Sequence, residues 1–503
     1  MWRGLPRGIA TVLVATAVVL LAWAASRLFL RPRGPSLERL GIPLVAQSRG
    51  GKTDFRQMMQ DCGERFPDRP YRIRAFGTEY VVFPSGFYDE IKRLPVEQAS
   101  MLEFFRHVFH TDWAGIPRHS DAMMKAVAVD LSRAVPSLIS GRQQDCAAVC
   151  DATIGDCPDW TEITLYPTLS RIVVSTNARA LVGSDLGANA TWLSHVERLP
   201  MAVALPTIFL SLVPVAVRPL LKPFLFAPVR YSRFVLTRLL APVLAGDMHE
   251  YQSSTDRKAL ERPKAQNKMA LTSWLMGRYP ESVRDVAAQL TSDYLDISFE
   301  STPSTSGTLF YILVELAADP ALAETVRQEL GEFAPSGKLP SSHLNELRIM
   351  DSVMRESARV NPFSHLVLYR RLLRPLTPSV GPELPAGTFI CVDAHHLNFS
   401  PELWEDPERF DGLRHYRARQ RPGNENRFKF ANLADSTNWG DGTQACPGRM
   451  LADNTLKIIL AHILTHYHLG LLPGQGKPKK GSMPNGSMFP DRKARILFRS
   501  RKL

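Results

Sequence analysis

Apolar residues recur along most of the chain with the three- to four-residue spacing of amphipathic helices. This spacing predicts helices over 121–139, 283–300, 306–317, 320–333 and 447–466. Runs typical of β-strands are short and lie at 79–83, 366–373 and 388–393. The pattern therefore predicts a mainly α-helical fold with small β-sheets, and no internal repeat is visible.

The amino-terminal segment has a different pattern. Residues 9–25 are apolar and uncharged, and a basic, proline-rich stretch follows them. Such a segment is long enough to cross a bilayer with some tilt. It predicts a transmembrane anchor and spacer over 1–33, ahead of a catalytic domain over 34–503. A cleaved signal peptide is the alternative, because Ala22-Trp23-Ala24 fits a cleavage site.

A second strongly apolar region covers residues 201–228. One interpretation is a second transmembrane span. Pro206 and Pro214 are expected to break such a helix, and Arg218 and Lys222 follow closely. Buried or membrane-dipping helices are therefore favoured over a span.

Composition narrows the class of protein. Hydrophobic residues are 45% and charged residues 22% of the chain, which excludes a disordered or collagen-like protein. The net charge of +12 comes from scattered basic residues. This charge favours binding to an anionic membrane surface or to an acidic partner, and no nucleic-acid partner is expected. The 6 cysteines are too few for a disulfide framework, so a reducing compartment is expected. Sequons at Asn189, Asn398 and Asn485 would become glycosylated only in a lumenal body.

The most informative segment runs from Trp439 to Arg449, with sequence WGDGTQACPGR. Cys446 is followed by proline and then by a helical pattern, which predicts Cys446 at the N-cap and Pro447 at the first helical position. Amide N–H groups at a helix start lower the pKa of a thiol. The glycines, Gly442 and Gly448 among them, let the backbone approach something flat and bulky. The alternative is a buried structural cysteine.

This segment resembles the cysteine-ligand loop of the cytochrome P450 haem-thiolate monooxygenases. It has an aromatic residue, Trp439, then Gly442, Cys446 and Gly448 at the family's spacing. The family usually has phenylalanine at the aromatic position. The indole is expected to cover the same side of the sulfur and to offer it an N–H donor.

Further motifs follow in the order that the family requires. Glu356 and Arg359 are spaced for one face of a helix, and the segment Pro407-Glu408-Arg409-Phe410 lies between them and the cysteine. The resemblance implies a buried triad of Glu356, Arg359 and Arg409. It covers the whole chain and is greatest to fungal microsomal members, many of which act in secondary metabolism.

The resemblance also implies a helix over the haem in which an acid precedes a threonine. Pro303 stands at the acid position and Ser304 at the threonine position. Proline is expected to open the helix there. Ser304 and Thr305 are the expected catalytic hydroxyls, with no acid beside them and with protons arriving through ordered water. Arg370, or its neighbour Arg371, is expected to pair with a haem propionate.

The implied activity is monooxygenation. Cys446 would be the axial ligand of the iron of haem b, with O2 as co-substrate. Electrons would come from NADPH through a separate NADPH–cytochrome P450 reductase, because the chain has no dinucleotide-binding glycine fingerprint. The expected substrate is a bulky apolar small molecule, a polyketide, polyketide-peptide or terpenoid, hydroxylated or epoxidised in a fungal, mycotoxin-like secondary-metabolite pathway.

The resemblance also implies a location. The expected place is the endoplasmic reticulum membrane, with a single pass and a cytosolic catalytic body. Two alternatives for the activity stay open: a haem-thiolate isomerase or dehydratase that does not use O2, and a membrane-anchored, non-catalytic relative.

Overall fold

Helices form most of the protein. The structure, a computed structural model, describes residues 37–45, 55–75, 78–214, 216–261, 268–334, 338–482 and 486–502. The predicted anchor and spacer over 1–33 lie outside the described residues. The α-helices are α1 (Phe55–Arg65), α2 (Tyr88–Lys92), α3 (Met101–Val108), α4 (Thr111–Ala114), α5 (Asp121–Lys125), α6 (Ser132–Ala134), α7 (Ile139–Thr153), α8 (Leu165–Val182), α9 (Ser184–Gly187), α10 (Ala190–Leu212), α11 (Arg218–Leu225), α12 (Ala227–Ser253), α13 (Leu271–Met276), α14 (Val286–Glu300), α15 (Pro303–Ala318), α16 (Pro320–Phe333), α17 (Arg348–Val360), α18 (Ala394–Phe399), α19 (Arg414–Arg419) and α20 (Arg449–His466).

The strands are few and short. They are β1 (Tyr71–Ala75), β2 (Thr78–Phe83), β3 (Ala99–Ser100), β4 (Thr161–Thr164), β5 (Leu366–Leu372), β6 (Phe389–Asp393), β7 (Tyr467–Gly470), β8 (Gly481–Ser482), β9 (Met488–Phe489) and β10 (Arg495–Ser500). Within the described ranges they form a five-stranded sheet of order β1-β2-β6-β5-β3, a three-stranded sheet of order β4-β10-β7 and the pair β8-β9. The prediction of a helical fold with small sheets is confirmed.

The predicted element over 121–139 is the least regular. The chain passes from α5 through a π-helical segment, Ala126–Leu131, into α6 and then a 3-10 turn, Val135–Leu138. Pro136 lies in the first turn of that 3-10 helix. Proline has no N–H to continue an α-helical ladder, so the helical spacing of the side chains survives although the backbone is divided.

The region 201–228 forms helices that do not span a bilayer. Helix α10 continues through Pro200 and Pro206, so the expected break at Pro206 is wrong, and it ends at Leu212, just before Pro214. Helix α11 then begins at Arg218. No helix in the described part of the chain is both long and apolar enough to cross a membrane. The interpretation as a second transmembrane span is therefore not supported.

The main core surrounds α20. Apolar side chains of α20 pack with those of α7, α8, α15, α16 and α17 in one buried cluster. A charged group also lies inside it: Lys457 Nζ is 2.9 Å from Asp351 Oδ1 and 3.2 Å from Asp453 Oδ2. Arg419 Nη1 lies 3.3 Å from the other Asp351 oxygen. The side chains of Asp351 and Lys457 are 0% and 2% exposed, so neither charge is solvated by water and each depends on the other.

We expect Lys457→Met to lower the free energy of unfolding by about 3–5 kcal/mol, because it leaves two carboxylates buried without their shared cation. Arg417→Met is the matched control, since Arg417 pairs with Asp411 at the surface, where its side chain is 57% exposed. That change should cost less than about 1 kcal/mol. Denaturant unfolding followed by tryptophan fluorescence measures both, and equal losses would contradict the buried-pair argument.

Candidate haem-thiolate site

The loop that carries Cys446 is tied to α2, β3 and α3. Gln444 donates from Nε2 to Ala99 O at 2.9 Å and accepts at Oε1 from Met101 N at 2.7 Å. Lys92 Nζ lies 3.3 Å from Asp441 Oδ2. Gly442 has a φ of +69°, and a Cβ there would collide with Lys92 O. The loop thus needs glycine at 442 for both its conformation and its packing.

A second anchor precedes this loop. Arg355 of α17 donates to the carbonyl oxygens of Lys429 at 3.0 Å, Ala434 at 2.7 Å and Asp435 at 2.8 Å. One buried guanidinium therefore organises the irregular segment that leads to Trp439. Sequence reasoning missed Arg355, and the only available signal was its place one residue before Glu356.

Cys446 lies two residues farther from its helix than predicted. Helix α20 begins at Arg449 with Gly448 as N-cap, so the prediction of Cys446 at the N-cap and Pro447 at the first helical position is wrong. Burial raises the pKa of the Cys446 thiol to about 11, although N–H groups of Gly448 and Arg449 donate to the sulfur and lower it. The expected lowering of the thiol pKa is also wrong. Burial of the sulfur outweighs the two amides, so the thiolate needs a bound cation.

Trp439 packs beside this loop and does not offer its N–H to the sulfur. Its Nε1 donates to Phe430 O at 2.8 Å, and the two rings meet edge to face at 5.1 Å. Its carbonyl oxygen accepts from Cys446 N at 2.8 Å. The indole N–H is therefore already bonded to Phe430 O and is not available to the sulfur. Trp439 holds the loop through its backbone carbonyl group.

The two candidate arginines, Arg370 and Arg371, are neighbours in β5, but their side chains lie on opposite sides of the strand. The pairing of β5 with β6 is irregular between Val367 and Arg370, and Leu368 there has a φ of +53°. This bulge aims Arg370 inward, where it is 2% exposed. Its Nη1 donates to Tyr369 O at 2.8 Å, and its Nε has no partner among the described residues. Arg371 instead lies 3.9 Å from Glu103 and is 39% exposed.

The helix is interrupted just before Pro303, as predicted. Helix α14 ends at Glu300, and Pro303 is the first residue of α15. Ser304 is exposed, whereas Thr305 and Ser306 are buried. Ser306 Oγ donates to Thr302 O at 2.8 Å, so that hydroxyl is bonded within the helix. Ser304 and Thr305 keep their predicted catalytic role as a prediction.

The acid Glu300 lies at the end of α14, four residues before Ser304 in the sequence. Glu300 pairs with Nε2 of His119, which lies in the loop before α5. It also raises the pKa of Cys446 by its charge, after the larger effect of burial. Asp293 and Asp296 on the same helix bond to the same loop. The spacing of these three acids along α14 was the signal available in the sequence.

The buried triad contains a different third residue from the one predicted. Arg359 donates to both Glu356 oxygens, at 2.9 and 2.7 Å. Arg414 Nε donates to Glu356 Oε1 at 3.0 Å, and His415 Nε2 lies 3.4 Å from Oε2. Arg409 is exposed and contributes only its backbone oxygen, which lies 3.4 Å from Arg359 Nη2. The prediction of Arg409 is wrong because its side chain lies outside the core that Glu356 occupies.

Comparison with known proteins identifies the family. A model of the family described as cytochrome P450 matches residues 249–498. The chain is 52% identical over 493 residues to cytochrome P450 monooxygenase CYP1 of Pyricularia oryzae, covering 97% of this chain and 90% of that protein. It is 70% identical over 340 residues to cytochrome P450 monooxygenase cheG of Chaetomium globosum, covering 67% and 100%. The chain therefore belongs to the cytochrome P450 family, whose matched fungal members are named monooxygenases.

Two further likenesses concern a named activity and the fold. Pyrichalasin C-18 hydroxylase of Pyricularia grisea is 40% identical over 499 residues, covering 99% of this chain and 92% of that protein. The retinoic acid-bound cyanobacterial CYP120A1 structure matches with a TM-score of 0.66 at 17% identity, covering 90% of this chain and 95% of that chain. The second likeness shows the fold alone, which agrees with the observed helices and small sheets.

The described residues fit the haem that the family implies. The backbone N–H groups of Gly448 and Arg449 lower the pKa of the Cys446 thiol, which favours a metal-bound thiolate. Arg370 is a buried cation that pairs with no carboxylate in the described part of the chain, and burial lowers its pKa to about 10. A haem propionate supplies the charge that this guanidinium lacks.

We expect Arg414→Ala to prevent stable haem incorporation and Arg409→Ala to leave it unchanged, because Arg414, unlike Arg409, pairs with Glu356. Burial raises the pKa of Glu356, but bonds from Arg359 outweigh it and bring the value from 4.5 to about 2. Since the folded pKa is lowered, this stabilisation is present above the unfolded pKa. It is lost as the pH falls from about 4.5 towards about 2.

Haem content per protein and unfolding as a function of pH measure these effects. Equal loss of haem in the two arginine variants would contradict the assignment of Arg414.

Proposed function

We propose that the protein is a haem-dependent monooxygenase that hydroxylates or epoxidises a bulky apolar natural product. A polyketide, polyketide-peptide or terpenoid in a fungal secondary-metabolite pathway is the proposed substrate class. The observation that carries the proposal is the half-buried Cys446 in a loop tied to α2, β3 and α3, in a chain whose fungal relatives are named monooxygenases. The relative named pyrichalasin C-18 hydroxylase supports hydroxylation.

Each of these residues has a separate proposed role in the reaction. When bound, haem b supplies the oxidising chemistry, with O2 as co-substrate and electrons from NADPH through a separate reductase. Cys446 would hold the iron, and Arg370 would pair with a propionate. Trp439, Gly442 and Gly448 shape the cysteine loop. Ser304 Oγ, with Thr305 behind it, would move protons on the oxygen side.

A large apolar cluster that includes Phe299 supports the proposal of an apolar substrate. The rings of Phe109 and Phe299 meet edge to face at 6.4 Å, and Phe299 directly precedes Glu300. Phe226 is fully buried in the same apolar cluster, which also contains Ile116. Apolar burial of the substrate supplies binding energy without directing a particular polar group.

We expect Cys446→Ala to abolish the thiolate-type absorption band of the reduced protein under carbon monoxide. Cys391→Ala is the control, because Cys391 is a free, buried cysteine of β6 outside the loop. A thiolate band in the Cys446 variant would refute this site. Absence of the band from the unmodified protein would favour a non-catalytic relative, and a band without reductase-dependent turnover would favour an isomerase or dehydratase.

The proposed location is the endoplasmic reticulum membrane, with a cytosolic body that has a second contact with lipid. The ends of α10 and α11 expose Leu212, which is 80% exposed, and Phe224, which is 78% exposed. Half-buried Arg218 and Lys222 lie between them in the sequence, and burial lowers the pKa of both. Apolar side chains with nearby cations suit an anionic membrane surface. Asn398 is 4% exposed, so its sequon is not accessible in the folded body.

We expect deletion of 1–33 to release the protein from membranes only in part, because the surface at Leu212 and Phe224 would still contact lipid. Adding Leu212→Ser and Phe224→Ser should complete the release. Leu373→Ser with Leu403→Ser is the control, since these leucines are 42% and 56% exposed elsewhere. Flotation with vesicles measures each variant, and full release by the deletion alone would rule out the second contact.

A further inference from the structure

A cleft opens between helix α16 and strand β7. Its volume is about 340 Å³. Strand β7 is at the edge of the three-stranded sheet, so its outer side borders this space. Ala317 of α15, Ala323 of α16 and Leu469 of β7 supply a buried apolar lining. None of the residues of the cysteine loop lines the cleft.

The cleft is separate from the candidate haem-thiolate site. Helix α20 has 18 residues, which gives it a length of about 27 Å. Cys446 precedes the first residue of this helix, whereas β7 directly follows the last one. Ala317 likewise lies in the last turn of α15, at the opposite end from Pro303. A small ligand in the cleft would therefore not contact the cysteine loop.

One wall of the cleft is an indole ring with a guanidinium over it. Trp160 is 44% exposed, and its ring lies beside Gly470, where an added Cβ would be 3.4 Å from the ring. The Cζ atom of Arg499 is 4.7 Å from the ring centroid. Arg499 is exposed, and within the described ranges no ion pair joins it to a carboxylate. A guanidinium stacked on an aromatic face keeps its N–H groups available for an anion.

Further arginines make the surroundings of the cleft positive. Arg327 of α16 lines the cleft and pairs with Glu324 through Nη1 at 3.0 Å. Burial lowers the pKa of the lining residue His468, and the charges of three arginines lower it further, namely Arg327, Arg501 and Arg499. Glu324 opposes them with one negative charge. Three cations and one acid leave an unbalanced positive charge at the cleft.

These features favour a small anion with an apolar body as the ligand. Small-molecule pockets have volumes of about 300–1,000 Å³, and the cleft is at the lower end of that range. A stable protein interface needs about 800 Å² from each partner. In the described chain no large apolar side chain of α16, β4, β7 or β10 is strongly exposed, so a macromolecular partner is not favoured. The available guanidinium of Arg499 matches one carboxylate.

We propose that this cleft binds a small carboxylate with an apolar body. The carboxylate pairs with Arg499, and the body lies between the Trp160 ring and the apolar lining at Ala317, Ala323 and Leu469. Burial of the body supplies binding energy. The charged pair makes the site prefer the acid to a neutral molecule of the same shape. Binding at this site does not depend on the proposed monooxygenase function.

The probe 2-naphthoate tests the proposal, in calorimetric titrations of the full-length, haem-containing protein. We expect 2-naphthoate to bind, and its neutral counterpart 2-naphthylmethanol to bind about tenfold more weakly, because the alcohol cannot form the charged pair. The haem absorption band should stay unchanged during the titration, since the cleft is remote from Cys446.

Two surface substitutions locate the bound probe. Arg499→Met should weaken 2-naphthoate binding by about tenfold and leave binding of the alcohol unchanged. Arg495→Met is the matched control, because Arg495 is on the same strand but pairs with Glu162, and it should leave both affinities unchanged. Trp160→Leu should weaken both ligands by about threefold or more, because it removes the stacking face.

Absence of binding up to about 1 mM 2-naphthoate would overturn the proposal. Equal weakening by Arg499→Met and Arg495→Met would also overturn it, because attraction to the net positive charge of the protein would then explain the binding. A shift of the haem band without any effect of Arg499→Met would place the probe in the haem pocket and rule out the cleft.

Discussion

The position of the half-buried Cys446 is the constraint on which the loop around it depends. The surroundings raise the pKa of this thiol to about 11 even with two amide N–H groups directed at it. A thiolate there is stable only beside a cation, and the loop must hold the sulfur in place for one. Ties from Gln444 and Asp441 and the packing of Gly442 against Lys92 supply that rigidity. Contacts of the loop therefore fix the position of the sulfur, and a bound metal ion would stabilise the thiolate.

Buried charged side chains connect many of the elements around this loop. Glu356 is neutralised by Arg359 and Arg414, and Asp351 by Lys457 and Arg419. Arg355 places its cation among carbonyl oxygens. Each group is fully bonded only in the assembled core, so loss of one partner strands another charge. Arg370 is also buried, and its Nε has no partner among the described residues, so it fits a cofactor carboxylate.

Pro303 stands where the family resemblance implies an acid, and the turn at this residue is linked to a neighbouring loop. Pro303 removes a side chain that could carry a proton, and it also starts a new helix. The carboxyl group one turn earlier, Glu300, is joined to a histidine that a row of acids holds in position. A change in one turn of the helix is thus linked to the loop packed against it.

The sequence by itself determined the elements with strong local signals. The helical spacing of 283–300 and 320–333, the β-type runs and the spacing of Trp439, Gly442, Cys446 and Gly448 depend only on nearby residues. The opening at Pro303 was predictable because proline lacks an N–H. Only the tertiary structure decided the sign of the Cys446 pKa shift, since burial is set by distant segments. It also paired Arg414 and not Arg409 with Glu356, buried Arg370 while leaving Arg371 exposed, and brought His119 to Glu300. Such choices depend on which side chain the packed core encloses, and local spacing carries no information about that enclosure.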